Sequence, residues 1–104
     1  MLLEKPGESI VIGEKTYTVG AGIVGIKDEY AGLTGYITEI RDGEEKETEN
    51  ETVDIYCCFD EPTDPDKVKE LEEIFSELYE ETKTIEDICL DMVIMAPDMI
   101  EVLE

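Results

Sequence analysis

Apolar and polar positions alternate with a period of two through the first part of the chain, and recur at helical spacing after that. Ser9–Ile12 and Thr16–Ile26 are rich in Ile, Val, Thr and Tyr and are divided by Gly13-Glu14-Lys15, which predicts a hairpin or a bent strand. The pattern continues from Gly32 to Ile40. Arg41-Asp42-Gly43 then opens a polar excursion that runs to Thr52, expected to be the tip of a long hairpin. On the returning strand Val53, Ile55, Cys57 and Phe59 share one face, and Asp54, Tyr56 and Cys58 the other. Cys57 is therefore expected in the core and Cys58 nearer solvent.

Asp60-Glu61-Pro62-Thr63-Asp64-Pro65 ends that strand and starts a helix. Asp64 suits the N-cap, Pro65 suits the first helical position, where its missing N–H costs nothing, and Asp66 complements the helix dipole. From 65 to about 82, Val68, Leu71, Ile74, Phe75, Leu78 and Tyr79 form one apolar stripe. Thr84 to Asp87 has the pattern of a capping box and predicts a short turn over 85–88. The stretch 92–103 reads as C-terminal strands, interrupted at Ala96-Pro97-Asp98, where proline fits a sheet edge or a bend. The expected organisation is one acidic domain over 1–104, β-rich from 8 to 60, of α+β class. No internal repeat and no domain-scale linker are visible.

Tyr30-Ala31-Gly32-Leu33-Thr34-Gly35-Tyr36-Ile37-Thr38-Glu39-Ile40 resembles the glycine-anchored turn and strand of KOW-like and other SH3-like small barrels. The resemblance implies a small β-barrel or a strongly bent antiparallel sheet, with the amphipathic helix inserted before the C-terminal strands. In it Gly32 and Gly35 allow a tight turn, Leu33 and Ile37 fill the core, and Met99–Leu103 helps close the barrel. Barrels of this kind often bind RNA or protein through basic loops, whereas the corresponding loop here is acidic. The chain also resembles short bacterial proteins of the accessory gene pool, which implies no activity.

Charge then narrows the functions. The 104 residues carry 29 acidic and 8 basic side chains, a formal charge of -21, and no histidine. A surface this negative repels phosphate backbones, whose binding depends on Lys and Arg displacing counterions, so no direct nucleic-acid contact is expected. The absence of histidine removes the usual proton-transfer side chain and the commonest metal ligand. Cys57, Cys58 and Cys89 are an odd set, two of them adjacent in a strand, which argues against a disulfide framework and for a reduced, cytoplasmic setting. No stretch approaches the roughly 18 apolar residues of a membrane span, and the opening residues lack the apolar core of a signal peptide.

Three motifs invite chemistry. Gly20-Ala21-Gly22-Ile23-Val24-Gly25 matches G-x-G-x-x-G, but dinucleotide binding needs a helix directly after it, and only Ile26 to Ala31 separates it from the next glycine turn. Glycines easing close packing in a curved sheet are the favoured reading. Asp60, Asp64 and Asp66 could attract Ca²⁺, yet the D-x-D-x-D-G order is missing and helix capping accounts for them. A zinc site from the three cysteines would lack a fourth ligand. No hydroxyl nucleophile has a histidine base, so no catalytic residue, cofactor or metal is assigned, and the chain is expected not to be an enzyme.

Two acidic features remain as partner-binding candidates. One is the tip, with Glu44, Glu45, Glu47, Glu49 and Glu51; the other is a helix face made by Asp66, Glu70, Glu73, Glu77, Glu80 and Glu81. Six acids there average one charge per roughly 4 Å of axis, against one phosphate per ~3.4 Å of a DNA strand. The leading expectation is a non-catalytic module that binds a basic or mixed-charge protein, without membrane contact and with no oligomeric state assigned. A nucleic-acid-mimicking inhibitor is the sharper alternative, and a small ligand-binding or enzymatic barrel the third.

Overall fold

In the computed structural model, which describes residues 1–103, the alternating segments resolve into eight short strands. They are β1 (Leu2–Leu3), β2 (Ser9–Ile12), β3 (Lys15–Thr18), β4 (Gly22–Gly25), β5 (Thr34–Arg41), β6 (Asp54–Phe59), β7 (Val93–Met95) and β8 (Ile100–Val102), with one helix, α1 (Pro65–Tyr79), between β6 and β7. β2 and β3 form a hairpin with Ile12 opposite Lys15, so Gly13-Glu14 is its loop. The remaining six strands form one antiparallel sheet ordered β7-β6-β5-β4-β8, and β1 pairs with the far end of β5. The class is α+β, and the helix precedes the C-terminal strands.

The sheet curls. β7 and β8 lie at its opposite edges, yet only Ala96–Met99 joins them, with a 3₁₀ turn over Pro97–Met99. In a flat sheet four inter-strand steps separate the edges by about 19 Å. Five Cα steps span at most about 18 Å even when fully extended, and a 3₁₀ turn advances about 2 Å per residue. Pro97 therefore marks a bend between the two edges. Among the described residues no ladder pairs β7 with β8, so the expected closed barrel is not found and the architecture is a curled antiparallel sheet with a separate hairpin.

Close backbone contacts account for two of the glycines. A Cβ on Gly35 of β5 would run into the carbonyl of Cys58 on β6, and one on Gly25 into the carbonyl of Tyr30. Gly25 ends β4 beside a 3₁₀ turn, Asp28–Tyr30, and exchanges hydrogen bonds with Gly32 and Leu33 at 2.8 Å. The glycine-rich motif is thus a strand and a tight corner, with no helix N-terminus beneath it.

Ile23, Ile37, Ile40, Ile55, Cys57, Met95 and Ile100 fill the inside of the curl. Val53, Ile55, Cys57 and Phe59 all face it, as their spacing requires, and Cys58 is only half-buried. The opposite face of β6 departs from the simple alternation, because Asp54 and Tyr56 are buried as well. The returning tip covers them.

Helix α1 begins where its cap dictates, with the Asp64 carboxylate accepting the Asp66 N–H at 3.0 Å and Pro65 in the first turn. It docks through Leu71 and Phe75. The Phe75 ring meets Tyr30 edge-on at 5.6 Å, and Tyr30 stacks on Phe59 at 5.0 Å and donates its hydroxyl to the Cys89 carbonyl at 3.0 Å. The helix stops at Tyr79, short of the expected 82, because Glu80 adopts the left-handed conformation (φ 54°) and Ser76 Oγ accepts the Lys83 N–H at 2.8 Å. The capping box closes the turn over Ile85–Asp87: the Asp87 carboxylate accepts the Thr84 N–H at 3.2 Å and its hydroxyl at 3.1 Å.

Candidate acidic interaction surface

The tip between β5 and β6 is a folded loop built around one buried carboxylate. Asp54 accepts hydrogen bonds from the Glu47 N–H at 2.8 Å, the Thr48 N–H at 2.9 Å, the Asn50 side-chain amide at 3.2 Å and the Thr48 hydroxyl. Burial by itself pushes the Asp54 pKa up. The Thr48 hydroxyl and the Thr48 and Glu47 amides more than offset that, and hold it below the ordinary carboxylate value. Arg41 adds a second tie: it pairs with Glu39 and, at 2.7 Å, with Glu47, while its guanidinium lies 4.8 Å above the Tyr56 ring. Beneath it burial pushes the Tyr56 pKa up to about 12, and its hydroxyl has no hydrogen-bond partner among the described residues.

All five tip candidates, Glu44, Glu45, Glu47, Glu49 and Glu51, are exposed. Glu47 is nevertheless engaged by Arg41. Glu49 and Glu51 border a 580 Å³ groove floored by Ile12, Ala96 and Pro97, which Asp98 also enters. Asp98 itself pairs with Lys27 at 3.2 Å.

On α1 the structure divides the six expected acids. Asp66, Glu70, Glu73 and Glu77 project within an arc of about 60°, opposite the Leu71–Phe75 side, over about 16 Å of axis. All four are exposed and, among the described residues, none is in an ion pair. Glu80 and Glu81 do not belong to this row, since Glu80 is the left-handed cap and Glu81 lies beyond it, paired with Lys83 at 2.6 Å. The i,i+4 contact that Glu77 and Glu81 would make in a longer helix is accordingly replaced by a capped end. The row and the tip are not brought together: the tip leaves β6 at Asp54, and the helix packs on Tyr30, which stacks on Phe59 at the other end of that strand.

Sequence patterning missed three features that shape this surface: the Asp54 latch, the Arg41 bridge, and an apolar margin beside the acidic row. Ile74 and Leu78 belong to the expected core stripe but stay largely exposed. Thr48 and Asn50, side chains that hydrogen-bond readily to nearby polar groups, were the available signal for an ordered tip.

The remaining motifs find structural partners. Asp60 and Asp64 line a 360 Å³ groove that already holds a cation, Lys67, while Asp64 caps the helix. Among the described residues no three His, Cys, Asp or Glu side chains gather as a metal site. Cys57, Cys58 and Cys89 are free thiols, and burial pushes Cys57 up to about 12. No helix among the described residues is long and apolar enough to cross a membrane. Comparison with protein-family models, curated proteins and solved structures returns no match to this chain.

Proposed function

We propose that this chain is a non-catalytic interaction module that binds a basic or mixed-charge protein through the acidic face of α1. The observation that carries the reading is the row Asp66, Glu70, Glu73 and Glu77, aligned on one exposed face and free of ion pairs among the described residues. Unpaired surface carboxylates at i,i+4 spacing weaken a helix by about 0.2–0.5 kcal/mol a pair, so this helix accepts a cost that a partner's cations would relieve. Leu71 and Phe75 pin the opposite side and hold the row in a fixed orientation. Such a field speeds encounter and selects partners by charge more than it tightens the final complex.

The scaffold in this proposal is an SH3-like small barrel left open between β7 and β8, supported by the sheet curl and the 3₁₀ turn before the last strand. Three free thiols fit a cytoplasmic setting. Equilibrium titration against basic proteins that do and do not bind nucleic acid, repeated across ionic strength, tests the function. The module is expected to bind at low salt, to weaken as salt rises, and to bind partners that have no nucleic-acid site. Binding confined to nucleic-acid-binding proteins, and abolished by DNA or RNA, would establish the mimic instead. No binding to any of them in dilute buffer would refute both.

A further inference from the structure

Between the acidic row and the buried side of α1 runs a margin that the core does not use. Ile74 is 39 % exposed and Leu78, one turn on, 55 %. Toward the helix start the margin meets a shallow groove where Ala31, Leu33 and Leu71 supply apolar surface, Glu29 and Glu70 carry negative charge and Lys67 carries one positive charge, so the acidic excess there is one. From Ile74 to Leu78 the exposed strip extends about 6 Å, or one helical turn, with buried Leu71 bounding it on the core side. An exposed apolar pair at i,i+4 beside a carboxylate row can receive the apolar side of an amphipathic helix whose cationic flank meets the row.

We propose that the Ile74–Leu78 margin of α1 is the seat of a basic amphipathic helix of the partner protein, which sets its apolar side on Ile74 and Leu78 and its Lys and Arg side chains against Glu70, Glu73 and Glu77. The inference rests on the acidic row being the contact surface, and adds the conformation of what binds there. Charge selects the occupant. A second copy of this chain would oppose carboxylates to carboxylates and bring another formal charge of -21, whereas a cationic helix neutralises the row as it covers the margin. An added strand is disfavoured because the backbone of α1 is hydrogen-bonded internally and offers no open ladder.

The test uses the whole chain and two synthetic peptides of about 18 residues. Both have the same Leu and Lys content. One is ordered to place Leu on a single helical face, the other is permuted so that no face forms. Fluorescence anisotropy is expected to give the amphipathic peptide roughly tenfold tighter binding. Ile74→Ser with Leu78→Ser should bring the two peptides within about twofold of each other, because truncating the anchors removes what distinguishes them. Both positions are exposed, and a thermal melt verifies that the variant is folded. Leu78→Ser alone, at the more exposed of the two, provides a second variant expected to shrink the preference part of the way.

Equal binding of the two peptides to the wild-type chain, weakening together with salt, overturns the helix seat while leaving the acidic surface intact. A preference that survives both substitutions also overturns it. Failure of both peptides to bind overturns the acidic surface as well.

Discussion

The carboxylate of Asp54 accepts the backbone N–H of Glu47 at 2.8 Å, so a fully buried charge on β6 holds the acidic tip from beneath. The same carboxylate takes the Thr48 N–H and hydroxyl and the Asn50 amide, and Arg41 clamps Glu47 from the side. The tip therefore presents Glu44, Glu45, Glu49 and Glu51 from an ordered loop.

Replacing Asp54 should cost more than replacing any exposed acid. In Asp54→Asn one acceptor oxygen becomes a donor facing other donors, and unfolding in urea should show a loss of about 2–3 kcal/mol. Glu44→Gln or Glu51→Gln should stay within about 0.5 kcal/mol.

The pH dependence of that loss has a definite sign. Because the folded pKa of Asp54 lies below its unfolded value, the native state binds fewer protons, and the stabilisation is present at neutral pH. It declines as pH falls below the unfolded value of about 3.9, and is lost as pH passes through the lower folded value. The gap between wild type and Asp54→Asn should accordingly narrow below pH ~4. A gap constant from neutral pH down to pH ~3 would contradict the latch.

The glycine-rich segment makes a paired prediction. Gly25→Ala drives a Cβ into the Tyr30 carbonyl, whereas a Cβ on Gly22 meets the Gly35 carbonyl oxygen at an ordinary 3.8 Å. Gly25→Ala should destabilise by about 1–3 kcal/mol, and Gly22→Ala should change stability by less than about 1 kcal/mol. Equal effects of the two would remove close packing as the reason for that glycine.

Helix docking gives another contrast. Phe75→Ala removes a buried ring that touches Tyr30 and should cost about 3–5 kcal/mol. Leu78→Ala, at a side chain more than half exposed, should cost less than about 1 kcal/mol.

Local rules made much of this fold legible in the sequence. Asp64 and Pro65 mark the start of α1, Thr84 and Asp87 form their box, and Gly13-Glu14 turns the hairpin, because each acts through neighbours in the chain. What escaped depends on contacts between distant segments. Leu2–Leu3 is too short to show a period, and only β5 makes it a strand. Alternation placed Asp54 and Tyr56 on the outer face of β6 but did not reveal that the tip folds over that face. The helix end was misplaced because Glu80 is not a residue type that announces a left-handed cap. Ile74 and Leu78 carry the periodicity of a core stripe, yet α1 docks through a narrower side than its apolar residues would fill. Of the candidate acids, all are exposed, and only the grouping of Glu80 and Glu81 with the helix face had to be revised.

An excess of 21 negative charges on a small fold repels itself, and salt screens that repulsion over about 8–10 Å. The melting temperature should rise between dilute buffer and physiological ionic strength. An unchanged or lower value would mean that the four ion pairs among the described residues, which salt weakens, outweigh the repulsion.

The most direct measurement compares the affinity of one basic protein ligand for three versions of the chain at low salt: wild type, Glu70→Gln/Glu73→Gln/Glu77→Gln, and Glu44→Gln/Glu45→Gln/Glu49→Gln. Display of charge by α1 predicts that the helix variant loses roughly tenfold or more in affinity while the tip variant changes by less than about threefold. Equal losses in the two variants would mean that binding follows net charge alone, and would contradict the assignment of the contact surface to α1.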